Sequence, residues 1–389
     1  MISEKYFAVI GKNFGDEGKG YTVDHLCKGP GKSLVIRANG GAQSGHTVIN
    51  AGKRFVFHEL GSGSFYAADT FWAKTFHPDL FKLRAEYDLF KETSNADIKI
   101  FSDPDTSITI IDDVLLNMAM EISRGNNRHG SCGMGIYECE LREEAGFKIT
   151  LEEIRMNGTD WLIERLEEIR RDYLPLRLSQ INSSNPDLSP YLDMLRSPEV
   201  LINYAEVVYE NLSLVTVADD VPSFLEDYDR VIFENGQGLL LDSELEEFYP
   251  HVTGSRTGLF NINLFMKEYA DAHPLHALFV TRTYVTRHGA GALSNECSKE
   301  DLGVSEDITN QPNPWQGHFR YAYHDSFENF LKYINQDIAS YEGSLSTGLM
   351  ITHLSETGGH LLFKDKKIPV DSLTTNPAFK DFTISTSDF

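Results

Sequence analysis

Short apolar runs, separated by polar and glycine-rich turns, are the dominant pattern along this chain. Runs of this length, bounded by turn residues, are typical of buried strands. They predict sheet strands at 8–10, 34–36, 55–57, 231–233, 278–280 and 349–352. Longer stretches with helical periodicity predict helices near 112–124, 151–171 and 198–212. Strands that alternate with helices predict an α/β fold, with a mainly parallel central sheet flanked by helices.

The domain organisation is interpreted from the same pattern. Residues 1–389 are long enough to bury a sizeable core as a single large domain. The section from about 150 to 225 is mainly helical, and we expect it to be a helical cap inserted between core strands. A turn-rich segment at 183–187 separates two of its helices.

A glycine-rich loop with two acids follows the first predicted strand. It reads GDEGKG and includes Gly15, Gly18 and Gly20. A glycine-rich turn before a helix aims backbone N–H groups at a bound phosphate. The loop is not a Walker A motif, because Gly20 replaces the usual Ser or Thr. An acid beside phosphate donors is expected where it binds Mg²⁺ or accepts a proton, whereas the alternative is a tight turn with solvated charges.

Four further polar turns follow apolar runs and favour the nucleotide-site interpretation. They lie at 40–47 (GGAQSGHT), 130–135 (GSCGMG), 234–238 (ENGQG) and 249–253 (YPHVT). His46, framed by small residues, is expected on a flexible loop where it can meet a ligand. Several such loops at one sheet edge would form a nucleotide site at the carboxyl ends of the strands.

Composition narrows the class of protein. The chain has 35 Lys and Arg against 58 Asp and Glu, a net charge of −23, which argues against a nucleic-acid-binding surface. No apolar stretch of 18 residues predicts a membrane span, and Glu4 and Lys5 interrupt any apolar signal region. Four cysteines without C-x-x-C spacing are best explained as reduced thiols, so we expect a cytoplasmic protein.

These motifs, taken in order, resemble adenylosuccinate synthetase. The matching segments are GDEGKG (15–20), GGAQSGHT (40–47), HGSCGMGIY (129–137), ENGQGLLLD (234–242), YPHVTGSRTG (249–258), VTRHGAGAL (285–293) and ISTS (384–387). The resemblance covers nearly the whole chain and implies a P-loop-related α/β fold. It also implies a ligase that joins L-aspartate to a 6-oxopurine nucleoside monophosphate. The reaction would pass through a 6-phosphoryl intermediate, with a nucleoside triphosphate and Mg²⁺.

The resemblance assigns expected roles to individual residues. Asp16 aligns with the catalytic base, His46 with its acid partner, Lys19 with a phosphate-steadying cation, and Gln237 with the side chain near purine O6. Asp16 and the carbonyl of Gly45 would bind Mg²⁺. The expected nucleotide-binding residues are Gly15, Glu17, Gly18, Gly20, Gln43, Ser131, Cys132, Thr253, Arg256, Arg287, His353, Ser355 and Ser385.

Two stretches depart from the family pattern. Where the family reads guanine with the aspartate of TKLD, this chain has Thr352-His353-Leu354-Ser355, so guanine preference should weaken unless Glu356 reaches in. The arginine-rich loop for aspartate corresponds to 313–320, where we expect Gln316, Gly317, His318 and Arg320 to form the amino-acid-substrate loop. The arginine that the family lends across its dimer interface has no clear match; Arg142 or Arg256 could substitute.

Three functional hypotheses follow. The first is the aspartate ligase described above, acting as a homodimer without nucleic-acid or membrane partners. The second is a phage-type variant that uses ATP or dATP and (d)GMP to make 2-aminoadenylosuccinate. In that branch a small residue replaces the loop acid, whereas Asp16 is present here. The third is a catalytically silent, nucleotide-binding regulatory homologue, which the base–acid pair argues against.

Overall fold

The computed structural model of the protein describes residues 4–125, 128–181, 185–305 and 318–387. The strands within these ranges are β1 Tyr6–Gly11, β2 Ser33–Arg37, β3 Gly40–Gly41, β4 His46–Asn50, β5 Lys53–Phe57, β6 Asp69–Trp72, β7 Phe76–His77, β8 Ile100–Ser102, β9 Val215–Val217, β10 Arg230–Gly238, β11 Leu275–Arg282, β12 Val285–His288, β13 Glu296–Cys297, β14 Phe319–Ala322, β15 Leu345–Thr352, β16 His360–Leu362, β17 Lys367–Pro369 and β18 Phe382–Thr386. The helices are α1 Lys19–Cys27, α2 Leu80–Thr93, α3 Ile111–Arg124, α4 Ile136–Glu144, α5 Leu151–Asp172, α6 Leu174–Leu178, α7 Ser189–Arg196, α8 Pro198–Asn211, α9 Val221–Glu226, α10 Phe260–Tyr269, α11 Lys299–Leu302 and α12 Lys332–Ala339.

A central sheet organises the molecule. Nine strands of the described ranges form it in the order β18-β15-β11-β1-β10-β2-β6-β8-β9. Every neighbouring pair is parallel. All five residues of β2 are buried, as expected for a strand of a parallel sheet covered on both faces. The predicted fold class, a mainly parallel sheet flanked by helices, is confirmed.

Five of the six predicted apolar runs lie in this sheet, and the sixth does not. Residues 55–57 belong to β5, which pairs with β4 in a separate antiparallel hairpin. Phe55 and Phe57 are buried while Val56 between them is half-buried, because a two-stranded ribbon has one face turned toward solvent. The sequence analysis missed β8 and β9, which have only three residues each and so offer little periodicity.

The helical section of the chain is longer than expected. Helices α3 to α8 span 111–211 between β8 and β9, rather than starting near residue 150. The expected range also includes β9, which is a strand of the central sheet. Helix α5 is interrupted at Gly158, where φ is +80°. Leu162, Leu166 and Val208 from this section pack into one apolar cluster with residues of the sheet. The division into one domain with a cap stays a prediction.

Helix boundaries follow local capping chemistry. At the start of α5, Thr150 N–H donates to Glu153 Oε2 at 2.9 Å, and Glu153 N–H donates to Thr150 Oγ1 at 3.2 Å. This reciprocal pair satisfies backbone donors that a helix start leaves unpaired. Among the described helices, none combines the length and apolar character that a membrane crossing requires.

Candidate active site

The glycine-rich loop between β1 and α1 is braced from within. Glu17 Oε1 accepts hydrogen bonds from the backbone N–H groups of Asn13 at 2.9 Å and Gly15 at 2.8 Å. The Glu17 carbonyl accepts one from Thr352 Oγ1 at 2.9 Å, which ties the loop to the end of β15. Glu17 therefore holds the shape of the loop, and a direct contact to nucleotide stays a prediction.

Lys19 and Gly20 open helix α1 in a tightly packed environment. The Lys19 side chain is fully buried, with Nζ 2.5 Å from the Gly15 carbonyl and 3.5 Å from Glu17 Oε2. A Cβ at Gly20 would lie 2.8 Å from His46 Cβ, so only glycine lets the helix approach His46 this closely. Gly18, with φ +95°, precedes α1 in the left-handed conformation. The first-turn N–H groups of α1 point out of the helix toward any bound anion.

Asp16 is positioned by its own backbone. Its carbonyl accepts a hydrogen bond from Arg282 Nε at 2.5 Å, and Arg282 ends β11. Burial raises the pKa of the Asp16 carboxyl above its usual range, while the charges of His288 and Arg282 oppose the rise. A carboxylate with a raised pKa is a better proton acceptor at neutral pH.

His46 belongs to a buried network of charges. Its Nδ1 lies 2.5 Å from Glu234 Oε1, and Glu234 also accepts hydrogen bonds from Ser62 N–H at 3.0 Å and from Ser62 Oγ. Arg37 Nη1 lies 3.2 Å from Glu234 Oε2, and Nη2 donates to Ser44 Oγ at 2.7 Å. A carboxylate can only accept, so Nδ1 carries a proton, and Nε2, which lies 3.4 Å from the Gly236 carbonyl, is the ring nitrogen that Glu234 leaves open to a ligand.

This network decides the protonation of its members. Burial would raise the pKa of Glu234, but the charges of His46 and Arg37 hold it far below its usual range. Burial lowers the pKa of His46, and Glu234 opposes that shift. The expectation that His46 lies on a flexible loop was wrong: it is the first residue of β4 and is buried, because Glu234 anchors it.

A group of side-chain amides lies beside this network. Gln43 Oε1 and Nε2 and Gln237 Nε2 are buried and lack hydrogen-bond partners within the described residues. Both side chains approach Gly40, where a Cβ would lie 2.7 Å from Gln43 Nε2 and 2.9 Å from Gln237 Nε2. Asn39 Nδ2 donates to Gln237 Oε1 at 3.0 Å and fixes that amide. Unpaired buried amides that converge in this way indicate a polar ligand.

Three further loops meet at the side of this group. His251 Nδ1 lies 2.8 Å from the His129 carbonyl, and a Cβ at Gly130 would lie 3.6 Å from Ala290 N. Arg287 is buried beneath them, where it donates to the His251 carbonyl at 2.7 Å and lies 4.3 Å from the centre of the Phe14 ring. Arg287 therefore holds these loops together, and its contact with nucleotide stays a prediction.

Three predicted phosphate-site residues lie on these loops. Ser131 Oγ donates to Asn117 Oδ1 at 2.8 Å, and Thr253 N–H donates to the Leu241 carbonyl at 2.8 Å. Burial raises the pKa of the adjacent Cys132 thiol to about 11, so it is a neutral thiol at physiological pH. The His129–His251 contact joins the turns that hold these residues, and their contact with phosphate stays a prediction.

Of the two arginines suggested for the interface role, Arg142 is enclosed and Arg256 is 34% exposed, so the role stays a prediction for Arg256. Arg142 is fully buried in the described structure and donates to Asp113 Oδ2 at 2.9 Å, so it cannot reach a neighbouring chain. Arg256 Nε donates to Asp242 Oδ1 at 2.9 Å, and its guanidinium stacks on Phe260.

The predicted triphosphate-base residues lie at the end of β15. His353 has φ +61°, and its Nδ1 lies 2.9 Å from Thr352 Oγ1. Ser355 is exposed, and Glu356 accepts a hydrogen bond from Tyr284 Oη at 2.7 Å. Because Glu356 is already bonded to Tyr284, it is a poor replacement for a guanine-reading aspartate. Ser385 is half-buried in the neighbouring strand β18, opposite Met350.

The predicted amino-acid-substrate loop is described only in part. Gln316 and Gly317 lie outside the described residues, and His318 is exposed. Arg320 is paired with Glu296 at 2.5 Å and donates to the Gly289 and Gly291 carbonyls at 3.0 and 2.9 Å. Binding a substrate carboxylate would require Arg320 to leave Glu296, so its expected role stays a prediction.

Sequence analysis missed several residues that build the site: Arg37, Asn39, Ser62, Glu234 and Arg282. Arg37 and Glu234 offer the clearest signal, since each is a charged residue that follows an apolar run within a buried strand. A charge in such a place is buried only when paired.

Comparison with known proteins agrees with the architecture. The sequence model of the family described as adenylosuccinate synthetase matches residues 8–313. The adenylosuccinate synthetase of Picrophilus torridus is 27% identical over 301 residues, covering 76% of this chain and 66% of the relative. The chain thus spans just under two thirds of the length of this relative.

Two solved structures share the fold. Fully ligated adenylosuccinate synthetase from Plasmodium falciparum superposes with a TM-score of 0.60 at 18% identity, covering 90% of this chain and 77% of that one. Succinoaminodeoxyadenylate synthetase of cyanophage S-2L, bound to dGMP and dATP, superposes with a TM-score of 0.56 at 14% identity. The match covers 90% of this chain and 84% of that one.

The central parallel sheet, with the glycine-rich loop after β1 at its carboxyl edge, defines an α/β protein of the class that both solved structures share. Because the family model matches well over half of its length, the chain belongs to the adenylosuccinate synthetase family.

Proposed function

We propose that this protein is an active ligase that joins L-aspartate to a 6-oxopurine nucleoside monophosphate, driven by a nucleoside triphosphate. One observation carries the proposal: the segments that hold Asp16, the Glu234-bound His46 and the unpaired amides of Gln43 and Gln237 pack against one another. A binding module needs neither a proton acceptor with a raised pKa nor an imidazole oriented by a carboxylate.

The residues divide the first step between them. Asp16 accepts the N1 proton of the purine, so that O6 attacks the terminal phosphorus of the triphosphate and the nucleoside diphosphate leaves. The His46 ring, protonated on both nitrogens, donates from Nε2 to the phosphoryl oxygens as their charge develops, and Glu234, which accepts from Nδ1, stabilises the positive charge of that ring. Lys19 steadies phosphate at the start of α1. In the second step the aspartate amine attacks C6, and inorganic phosphate leaves.

Mg²⁺ fits the donor set at this loop. The Asp16 carboxylate and the Gly45 carbonyl are hard oxygen ligands, and Gly45 is exposed on the turn before His46. When bound, the ion would neutralise charge on the transferring phosphoryl group. We further propose a homodimer, by analogy with the family. Mg²⁺ use, the dimer and a cytoplasmic location all remain parts of this proposal.

A second candidate function is the phage-type reaction of (d)GMP with ATP or dATP. The residues that follow strand β15 favour it. Ser355 stands where the family has its guanine-reading aspartate, and Glu356 is held by Tyr284. Gln43 Oε1 can accept from a purine 2-amino group, and its Nε2 can donate to O6. Asp16 argues for a hypoxanthine substrate, so the acceptor base is the main open choice between the two.

Phosphate release measured over a substrate matrix distinguishes these functions. The matrix crosses IMP, GMP and dGMP with GTP, ATP and dATP, with and without aspartate, and mass spectrometry identifies the nucleotide product. Aspartate-dependent phosphate release with IMP supports the first proposal, and release with GMP or dGMP supports the second. Binding of nucleotides without phosphate release in any combination would favour the silent regulatory homologue.

A further inference from the structure

A second cluster of potential metal ligands lies where strand β7 meets helix α4. It consists of His77 at the end of β7 and of Cys139 and Glu143, which lie four residues apart on α4. Their donor atoms all lie within 4.8 Å of one another. Residues four apart share one face of a helix, so both side chains point at the same strand. None of the three belongs to the predicted nucleotide site.

The separations of the donor atoms match those around a tetrahedral zinc ion. His77 Nδ1 lies 3.2 Å from Glu143 Oε1, and Cys139 Sγ lies 3.6 Å from the same oxygen. Bonds of about 2.0 Å to nitrogen and oxygen and about 2.3 Å to sulfur, at tetrahedral angles, place such atoms about 3.3 and 3.5 Å apart. Two of the three separations therefore suit a shared ion, and the third, between His77 and Cys139, is within 4.8 Å.

The direction of the imidazole supports the same conclusion. His77 is buried, and its Nδ1 lies within ion-pair distance of Glu143, at 3.2 Å, without the alignment of a hydrogen bond to any described residue. A short distance without hydrogen-bond alignment is the arrangement of two ligands that face a common point between them.

The surroundings suit a thiolate ligand. Arg142 Nη2 lies 3.3 Å from Cys139 Sγ, and Asp113 holds the same guanidinium at 2.9 Å. An N–H donor beside a coordinating sulfur is a common supporting contact. The thiol also lies 3.4 Å from the Ile108 carbonyl. That carbonyl accepts a second hydrogen bond from Arg142 at 2.9 Å, so it keeps a donor when the thiol loses its proton.

We propose that His77, Cys139 and Glu143 bind one Zn²⁺ ion, with water in the fourth position. One nitrogen, one sulfur and one oxygen form a borderline-soft set that favours Zn²⁺ over Mg²⁺. A thiolate and a carboxylate also neutralise the ion, so the buried site carries no net charge. The ion would fasten α4, and with it the 130–135 loop, to β7.

Cobalt substitution tests this site independently of any catalytic activity. The full chain is stripped with a chelator and titrated with Co²⁺, followed by competition with Zn²⁺. We expect one ion per chain, intense tetrahedral d–d bands and a near-ultraviolet thiolate-to-cobalt band. Cys139→Ser should remove the thiolate band and weaken Zn²⁺ binding at least tenfold. Cys297→Ser, a matched cysteine outside the cluster, should change neither.

Glu143→Gln provides a milder variant, because the carboxylate is partly exposed and the fold should tolerate the amide. It should weaken Zn²⁺ binding while the thiolate band remains. A wild-type chain that shows no thiolate-to-cobalt band would overturn the proposal and leave a hydrogen-bonded cluster only. Weak octahedral bands would likewise indicate metal bound to surface carboxylates rather than to these residues.

Discussion

Replacing Glu234 by glutamine is the sharpest test of the catalytic network. The change keeps the size of the side chain but removes the charge that faces His46 at 2.5 Å and Arg37 at 3.2 Å. Glutamine can still accept one hydrogen bond from His46 Nδ1. The neutral glutamine amide cannot stabilise the positive charge of the His46 ring that donates from Nε2 to the phosphoryl oxygens.

Two effects of different size are expected. A hydrogen bond to a charged group contributes about 1.5–3 kcal/mol, against about 0.5–1.5 for a neutral one, so kcat should fall roughly 5- to 30-fold. Leaving Arg37 buried without its carboxylate should cost about 3–5 kcal/mol of folding free energy. KM for both nucleotides should change little, because the lost interaction strengthens in the transition state.

A double-mutant cycle with His46→Ala decides whether Glu234 acts through the imidazole. Steady-state phosphate release gives kcat, and urea denaturation shows that each variant is folded under assay conditions. Exposed Glu226→Gln is the matched control and should leave kcat and stability unchanged. In the His46→Ala background, Glu234→Gln should lower kcat by less than twofold. The same 5- to 30-fold loss in that background would refute the proposed coupling.

Three further predictions concern single positions. Asp16→Asn should reduce turnover by roughly 10²–10⁴-fold. Circular dichroism should show that the fold is kept, and a variant with more than a tenth of the wild-type rate would contradict the role of Asp16 as base. With ATP or dATP, kcat/KM should be at least as high as with GTP. Ser355→Asp should shift the ratio of these kcat/KM values about tenfold toward GTP. A tenfold preference of the wild type for GTP would show that Ser355 does not contact the base of the triphosphate. Burial raises the pKa of Asp337 to about 7. The folded state therefore loses stability as pH rises from about 4 to about 7. Asp337→Asn should gain roughly 2–4 kcal/mol at pH 8 and little at pH 4 in urea denaturation, whereas exposed Asp371→Asn should gain nothing at either pH.

Local signals made parts of the site predictable from the sequence. Gly18 and Gly20 mark a turn and a close approach that few other residues permit, and both lie where α1 begins. The short apolar runs within β10, β11 and β15 were recognisable without knowledge of their partners, since strands buried on both faces have continuous apolar runs.

Partners that are distant along the chain were not predictable. His46 is anchored by Glu234, which is 188 residues away, so its burial was missed. The bond between Tyr284 and Glu356 spans 72 residues and removes the carboxylate that an alignment alone would offer to guanine. Each of these outcomes depends on tertiary contacts rather than on local pattern.

The position of β1 in the sheet has a consequence for biosynthesis. β1 lies between β10 and β11, so its two neighbours begin at residues 230 and 275. During synthesis, the apolar strand β1 has no pairing partner in the sheet until β10 and β11 have left the ribosome. In contrast, β2, β6, β8 and β9 pair in chain order and can assemble beforehand. We therefore expect nascent chains shorter than about 280 residues to expose β1 to proteases and chaperones, and the catalytic loop attached to it to be among the last parts to form.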